Sequence, residues 1–214
     1  MADFEISKVQ DPLPEQEAAR DYWSGLDNFA GYARPKPWST FMASRILSFS
    51  PSSVFEFGCN AGKNLAAIRE RNSSVFACGV DVNAAAVRHG EQSGLRLAAG
   101  DERLLKIFPD LTFDVTFTVS VIDHVATPGE ILTELARITR RKLLLLEPWL
   151  GEEGKVERNV NITTGELIDT TPYSYSWDYH RLTRQHLPGW QIEDEPYALQ
   201  SNLGRFYRLY TLTR

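Results

Sequence analysis

The sequence predicts an α/β fold: a doubly wound sheet of seven strands, mostly parallel, with helices on both faces. Three observations carry that expectation. Between residues 53 and 148, five strand-like runs alternate with four helical ones, and such alternation builds a parallel sheet. Two more strand-like runs, WQIEDEPYAL (190–199) and RFYRLYTLTR (205–214), close the chain. The joint between them, SNLG, is so short that the pair must be antiparallel. Finally, the glycine loop GCNAG (58–62) follows the first strand, at the sheet edge where such folds bind ligands.

Taken in order, residues 13–25 read as a helix carrying Tyr22 and Trp23, and ARPKP (33–37) breaks the chain. Trp38, Phe41, Met42, Ile46 and Phe49 then recur at helical spacing, so one apolar face docks on a core. The first 50 residues thus form an N-terminal helical region. SVFEF (53–57) is a strand and AGKNLAAIRER (61–71) a helix. VFACGVD (75–81) is the next strand, before a helix at 83–92 that Asn83 can cap. LRLAA (95–99) is a short strand, and ERLLKIF (102–108) a short helix behind Asp101. FDVTFTVSV (113–121) sets Val115, Phe117, Val119 and Val121 on one strand face. The helix at 127–138 opens with Thr127, Pro128 and Glu130, the pattern of a capping box. KLLLLEP (142–148) is a buried strand. Residues 149–188, irregular and rich in aromatics, are expected to form a cap within a single domain of 1–214.

At 214 residues, the chain is long enough to bury a substantial core. A net charge of −5 gives no global attraction to nucleic acid or anionic lipid. No apolar run approaches membrane-spanning length, and the start, MADFEISKVQ, lacks an apolar signal region. Two cysteines, Cys59 and Cys78, fit a reduced, cytoplasmic setting. The histidines and scattered acids have no metal-site spacing.

Gly58 allows a tight turn after the first strand, and Gly62 lets a ligand or the following helix come close. The amides at the start of that helix can hold an anionic group. Three acids fall at successive strand ends: Glu56, Asp81 and Asp101. An acid at the tip of the second strand is placed to take both hydroxyls of a ribose. For Asp81 and Asp101, helix capping is a compatible alternative. A nicotinamide dinucleotide also suits a glycine loop with a ribose acid. Against it, the middle glycine of the dinucleotide fingerprint is missing, and Glu56 repels a diphosphate while suiting an ammonium group.

The motifs VFEFGCNAG, GVDVN, AAGDERLL and FDVTFTVSVIDHV, with LLLLEP after them, resemble the class I S-adenosylmethionine-dependent methyltransferases. The resemblance implies a Rossmann-like domain with S-adenosylmethionine as cofactor and S-adenosylhomocysteine as product. By position, it implies that Gly58, Cys59, Asn60 and Gly62 line the methionine part and that Glu56 supports its amino group. Asp81 would hold the ribose, Val82 would pack on adenine, and Asp101 with Glu102 would take the adenine amino group. Ser120 would lie near the sulfonium. Asn60 stands where the family usually has glycine, a position for which Asn tolerates left-handed backbone.

For catalysis, His124 and Asp123 follow the fourth strand, where His124 can take a proton or wall the cofactor pocket. Tyr173, Tyr175, Trp177 and Tyr179 alternate with small polar residues. An extended backbone would put these four rings on one face. With Trp149, Tyr173, Tyr175 and Trp177 are the candidate acceptor pocket, and the Tyr175 hydroxyl a candidate to position the nucleophile. The expected reaction is methylation of a small molecule, such as a sugar precursor or an aromatic metabolite. The alternatives are a catalytically silent S-adenosylmethionine-binding partner subunit and a nicotinamide-binding protein.

Overall fold

The computed structural model describes residues 4–27, 33–158, 173–197 and 206–214. The central sheet has seven strands: β2 (Ser53–Phe57), β3 (Phe76–Asp81), β4 (Arg96–Ala99), β5 (Phe113–Val119), β6 (Thr139–Pro148), β9 (Gln191–Pro196) and β10 (Tyr207–Thr213). Their order is β4-β3-β2-β5-β6-β10-β9. The first five are parallel, and β10 runs antiparallel to both β6 and β9. The connection SNLG itself lies outside the described residues.

Alternation along each strand divides the core between the two faces. Val54, Val115, Phe117, Leu144 and Leu146 face α2 (Pro37–Leu47) and α3 (Lys63–Arg71), where Met42, Ile46, Leu65 and Ile68 meet them. Trp38, Phe41 and Phe49 complete that apolar face of α2 as expected. On the other side, Phe55, Leu143 and Leu145 pack with Leu132 and Leu135 of α5 (Pro128–Ile138) and Leu182 of α6 (Tyr179–His186).

Several local expectations are met. The Asn83 side chain accepts from the Ala86 amide and caps α4 (Ala84–Gln92). Asp101 caps a 3-10 turn, Glu102–Ile107, where a short helix was expected. The capping box at Thr127 does not form: no side-chain cap bond is made, and Pro128 alone marks the start of α5. Val121 does not continue the face of Val115 and Phe117. Ser120 has φ 53, which breaks the alternation, and Val121 joins the opposite cluster.

The N-terminal region is not purely helical. It begins with β1 (Phe4–Ser7), which pairs antiparallel with β7 (Gly154–Arg158); β7 pairs in turn with β8 (Tyr175–Ser176). This second sheet ties α1 (Pro12–Ser24) to the segment that follows β6. Residues 159–172 of the expected cap lie outside the described residues.

Candidate functional site

The loop after β2 is held mainly by protein contacts. Gly58 and Gly62 have φ 73 and φ 78, where a side chain is disfavoured. A Cβ on Gly58 would overlap the Val121 methyls, and one on Gly62 the Leu95 side chain. The glycines are therefore required by packing as well as by any ligand. Asn60 has φ 49, the left-handed backbone expected of it, and its Oδ1 accepts from the Ala61 amide. Cys59 is buried and its thiol is pushed up by burial.

Glu56 is 1% exposed. Its Oε1 accepts from Asn64 Nδ2 at 2.6 Å, while Oε2 has no hydrogen-bond partner among the described residues. Burial pushes its carboxyl up to about 8, because a carboxylate loses its hydration there. Asn64 Oδ1 is also buried without a partner among the described residues. Both oxygens can take a donor group such as an ammonium.

At the tip of β3, Asp81 Oδ2 accepts from the Asn60 amide at 2.7 Å and Oδ1 from the Asn83 amide at 2.8 Å. Burial raises its pKa against those two bonds. Asp81 thus fixes the glycine loop, with a lone pair left on each oxygen. Val82 lies half-buried beside it. At the tip of β4, Asp101 is gripped by Arg103 Nε at 3.0 Å, which holds its pKa low, and Arg20 Nε lies 3.4 Å away. Arg20 also donates to Glu102.

Beyond β5, the Ser120 hydroxyl lies 2.6 Å from the Tyr207 hydroxyl and donates to Asp123 Oδ1 at 3.3 Å. Asp123 and Glu147 are both fully buried. Glu147 accepts from the Thr118 hydroxyl at 2.7 Å and from the amides of Val121 and Asp123. Burial and the neighbouring Asp123 hold its pKa well above the carboxylate range. Sequence reading missed Glu147 and Tyr207 in this network. The LLLLEP motif marked the strand end, but nothing local marks an acid as buried.

His124 is close to Asp123, but its ring is already engaged. Nδ1 is 3.0 Å from the Tyr173 carbonyl and so carries the proton. Nε2 faces Asp123 Oδ1 at 3.6 Å, and the Trp23 ring lies 4.3 Å from the imidazole. These contacts fix the orientation of the His124 ring.

Trp23 belongs to α1, which crosses the strand tips as a roof. Arg20 reaches the acids beyond β4. Asn83 Nδ2 donates to the Trp23 and Leu26 carbonyls, and Gln16 Oε1 accepts from the Ala126 amide. The Trp23 indole nitrogen is buried with no partner among the described residues. The helical pattern of 13–25 was legible; its position over the site was not.

The aromatic stretch does not present one face. Tyr173 has φ 55 and its ring lies 6.0 Å from Tyr22. Tyr175 is fully buried, donates to Glu15 Oε2 at 2.6 Å and stacks on Trp177. The Trp177 indole donates to the Val125 carbonyl, and Tyr179 lies within α6. Only Tyr175 and Ser176 are strand, so the alternation needed for a shared face is absent. Trp149 is elsewhere, lining a cleft of about 290 Å³ with Asp178, His180, Asp194, Arg208 and Tyr210. Among the described residues, no group of three or more His, Cys, Asp or Glu could hold a metal, and no helix is long and apolar enough to cross a membrane.

This strand order, with a glycine loop at the first parallel strand and acids at the next two tips, defines a class I methyltransferase fold. Solved structures share it. One is the plantazolicin methyltransferase BpumL, in complex with a triazolic desmethylPZN analog and SAH (14% identity, TM-score 0.66, 94% of this chain and 96% of that one). Another is the Burkholderia thailandensis 1,6-didemethyltoxoflavin-N1-methyltransferase with bound 1,6-didemethyltoxoflavin and S-adenosylhomocysteine (15%, TM-score 0.67, 100% and 96%). A SAM-dependent methyltransferase from Aquifex aeolicus is also similar (17%, TM-score 0.60, 87% and 97%). No curated protein sequence matches the chain. The model of the family described as methionine biosynthesis protein MetW matches residues 42–180, and the chain belongs to that family.

Proposed function

We propose that this chain is an S-adenosylmethionine-dependent methyltransferase acting on a small, flat acceptor. The observation that carries the acceptor class is the roof. With α1 laid across the strand tips, the rings of Trp23, Tyr22 and Tyr173 gather beside His124. Aromatic walls of this kind suit a small ring. The two neighbours crystallised with small acceptors support that reading.

The residues present fit the cofactor. The unpaired Glu56 and Asn64 oxygens match an ammonium group, and Asp81 has lone pairs left for ribose hydroxyls. Asp101 and Glu102 are the acids for an adenine amino group, once Arg103 and Arg20 share or yield them, and Val82 is the packing surface beside it. The missing middle glycine and the buried Glu56 speak against a nicotinamide dinucleotide.

When bound, the cofactor supplies a methyl group on an electrophilic sulfonium. The chain's own contribution is alignment and exclusion of water, through Ser120, Trp23 and the His124 ring. Tyr175 and Trp177 brace α1 and the loop after β5, so their part in turnover is indirect.

Incubation with labelled S-adenosylmethionine and a metabolite extract tests the proposal. Label transferred to a small molecule is expected. Donor binding without transfer to any fraction would leave a silent binding partner as the function.

A further inference from the structure

We propose that the cleft beside α6 is a binding site for a neutral, polyhydroxylated ring of monosaccharide size. The proposal does not rest on the donor reading above. The cleft is lined by Trp149, Asp178, His180, Asp194, Arg208 and Tyr210, where the start of α6 meets β9 and β10. Its volume of about 290 Å³ is at the small end of the range for ligand sites, so it has room for one ring. Alternation along β10 turns Arg208 and Tyr210 to this face, while Tyr207 turns to the other and meets Ser120. None of the six lining residues belongs to the network of Ser120, Asp123, Glu147 and Tyr207. The cleft is therefore a second site.

Its polar groups are only half engaged within the protein. Asp194 uses both oxygens: Oδ1 accepts from His180 Nε2 at 2.8 Å, and Oδ2 accepts from Arg208 Nε. The terminal nitrogens of Arg208 make no hydrogen bond among the described residues. Neither do His180 Nδ1, the Tyr210 hydroxyl or Asp178 Oδ2, whereas Asp178 Oδ1 caps α6. With Nε2 donating, the neutral His180 ring offers Nδ1 as an acceptor. Open donors and open acceptors thus share one small cleft with the half-buried Trp149 ring.

That inventory selects the ligand's charge. A carboxylate or phosphate would meet Arg208 but also the acids Asp178 and Asp194. An ammonium would meet those acids but also Arg208. A hydroxyl carries no charge and both donates and accepts, so it can use either kind of open group. A pyranose or cyclitol ring has hydroxyls around its rim and C–H bonds on its faces, and those faces can pack on an indole.

Saturation-transfer NMR on the wild-type protein tests this. The probes are glucose, galactose and mannose, each beside its uronate and its 2-amino derivative, together with myo-inositol. At least one neutral ring should bind saturably, and a bound hexose should exceed its charged derivatives in affinity by at least about threefold. Saturating S-adenosylhomocysteine should leave that affinity within about twofold. Trp149→Leu removes the stacking face and Arg208→Gln the terminal donors; each should weaken the ring about tenfold. Absence of saturable binding by all four neutral rings overturns the proposal. Tighter binding of a uronate or amino sugar than of its parent overturns it too, as does competition with S-adenosylhomocysteine. These three comparisons use the wild type and hold even if a variant fails to fold. Equal binding of the ring by wild type and both folded variants would place it elsewhere and also overturn the proposal.

Discussion

Replacing Glu56 by Gln should make the ligand-free protein more stable, increasingly so as pH rises. The carboxyl is 1% exposed and its pKa is pushed from an ordinary 4.5 up to about 8. Folding therefore favours the protonated acid. Below about pH 4.5 the group is protonated in both states, so its stabilising contribution is fully present. Between 4.5 and 8 the unfolded chain releases the proton and the folded one keeps it, so stability falls with rising pH. The slope is about 1.4 kcal/mol per pH unit, which comes to about 3 kcal/mol at pH 7 and about 5 at pH 8. Gln imitates the neutral acid, keeps an oxygen for Asn64 Nδ2 and does not titrate.

Urea unfolding of both proteins at pH 5, 6, 7 and 8 reads the difference directly. Other buried acids, Asp81 and Glu147 among them, are common to both proteins and largely cancel. Lys63 changes charge near and above pH 8, at the edge of the window. A stability difference that stays flat from pH 5 to 8 would refute the reasoning. The same substitution should weaken S-adenosylhomocysteine binding, since Gln cannot ionise against an ammonium.

Three further outcomes are expected. Asp81→Ala should lower the unfolding free energy by about 2–4 kcal/mol, because the amides of Asn60 and Asn83 lose charged acceptors. It should also weaken S-adenosylhomocysteine at least tenfold by calorimetry; an unchanged dissociation constant would remove Asp81 from the ribose site. Gly58→Ala should destabilise by about 2–4 kcal/mol in thermal unfolding, through left-handed backbone and overlap with Val121; Gly58→Ala with Val121→Ala should recover part of that. Arg20→Met, which frees Glu102, leaves Asp101 to Arg103 alone and loosens α1, should speed both association and dissociation of S-adenosylhomocysteine in stopped-flow; unchanged rates would mean that α1 does not gate the site.

The sequence by itself determined the elements of the central sheet, though not the second sheet of β1, β7 and β8. Alternation of period-2 and helical patterns specified strands and crossovers, and the short joint before β10 specified an antiparallel end. Asn83 and Asp101 were readable as caps because a cap bonds to a backbone two or three residues away. The glycine loop and the positions of its acids at strand ends were legible for the same reason.

What the sequence could not determine depends on partners far along the chain. Arg20 meets Glu102 across 82 residues, and Tyr175 meets Glu15 across 160. Tyr175 and Trp177 looked like a pocket wall from composition; in the fold Tyr175 is buried and donates to Glu15 of α1. Gly58 was legible as a turn; that Val121, redirected by the left-handed Ser120, also leaves no room for a side chain there was not. Glu147 and Tyr207 joined the site only when β10 paired with β6 and brought Tyr207 beside Ser120. Local periodicity reports which face a residue is on. Which side chain it meets there, and whether water is excluded, is decided by packing between elements, and so was the conversion of Glu56 and Lys63 from ordinary charges into buried ones.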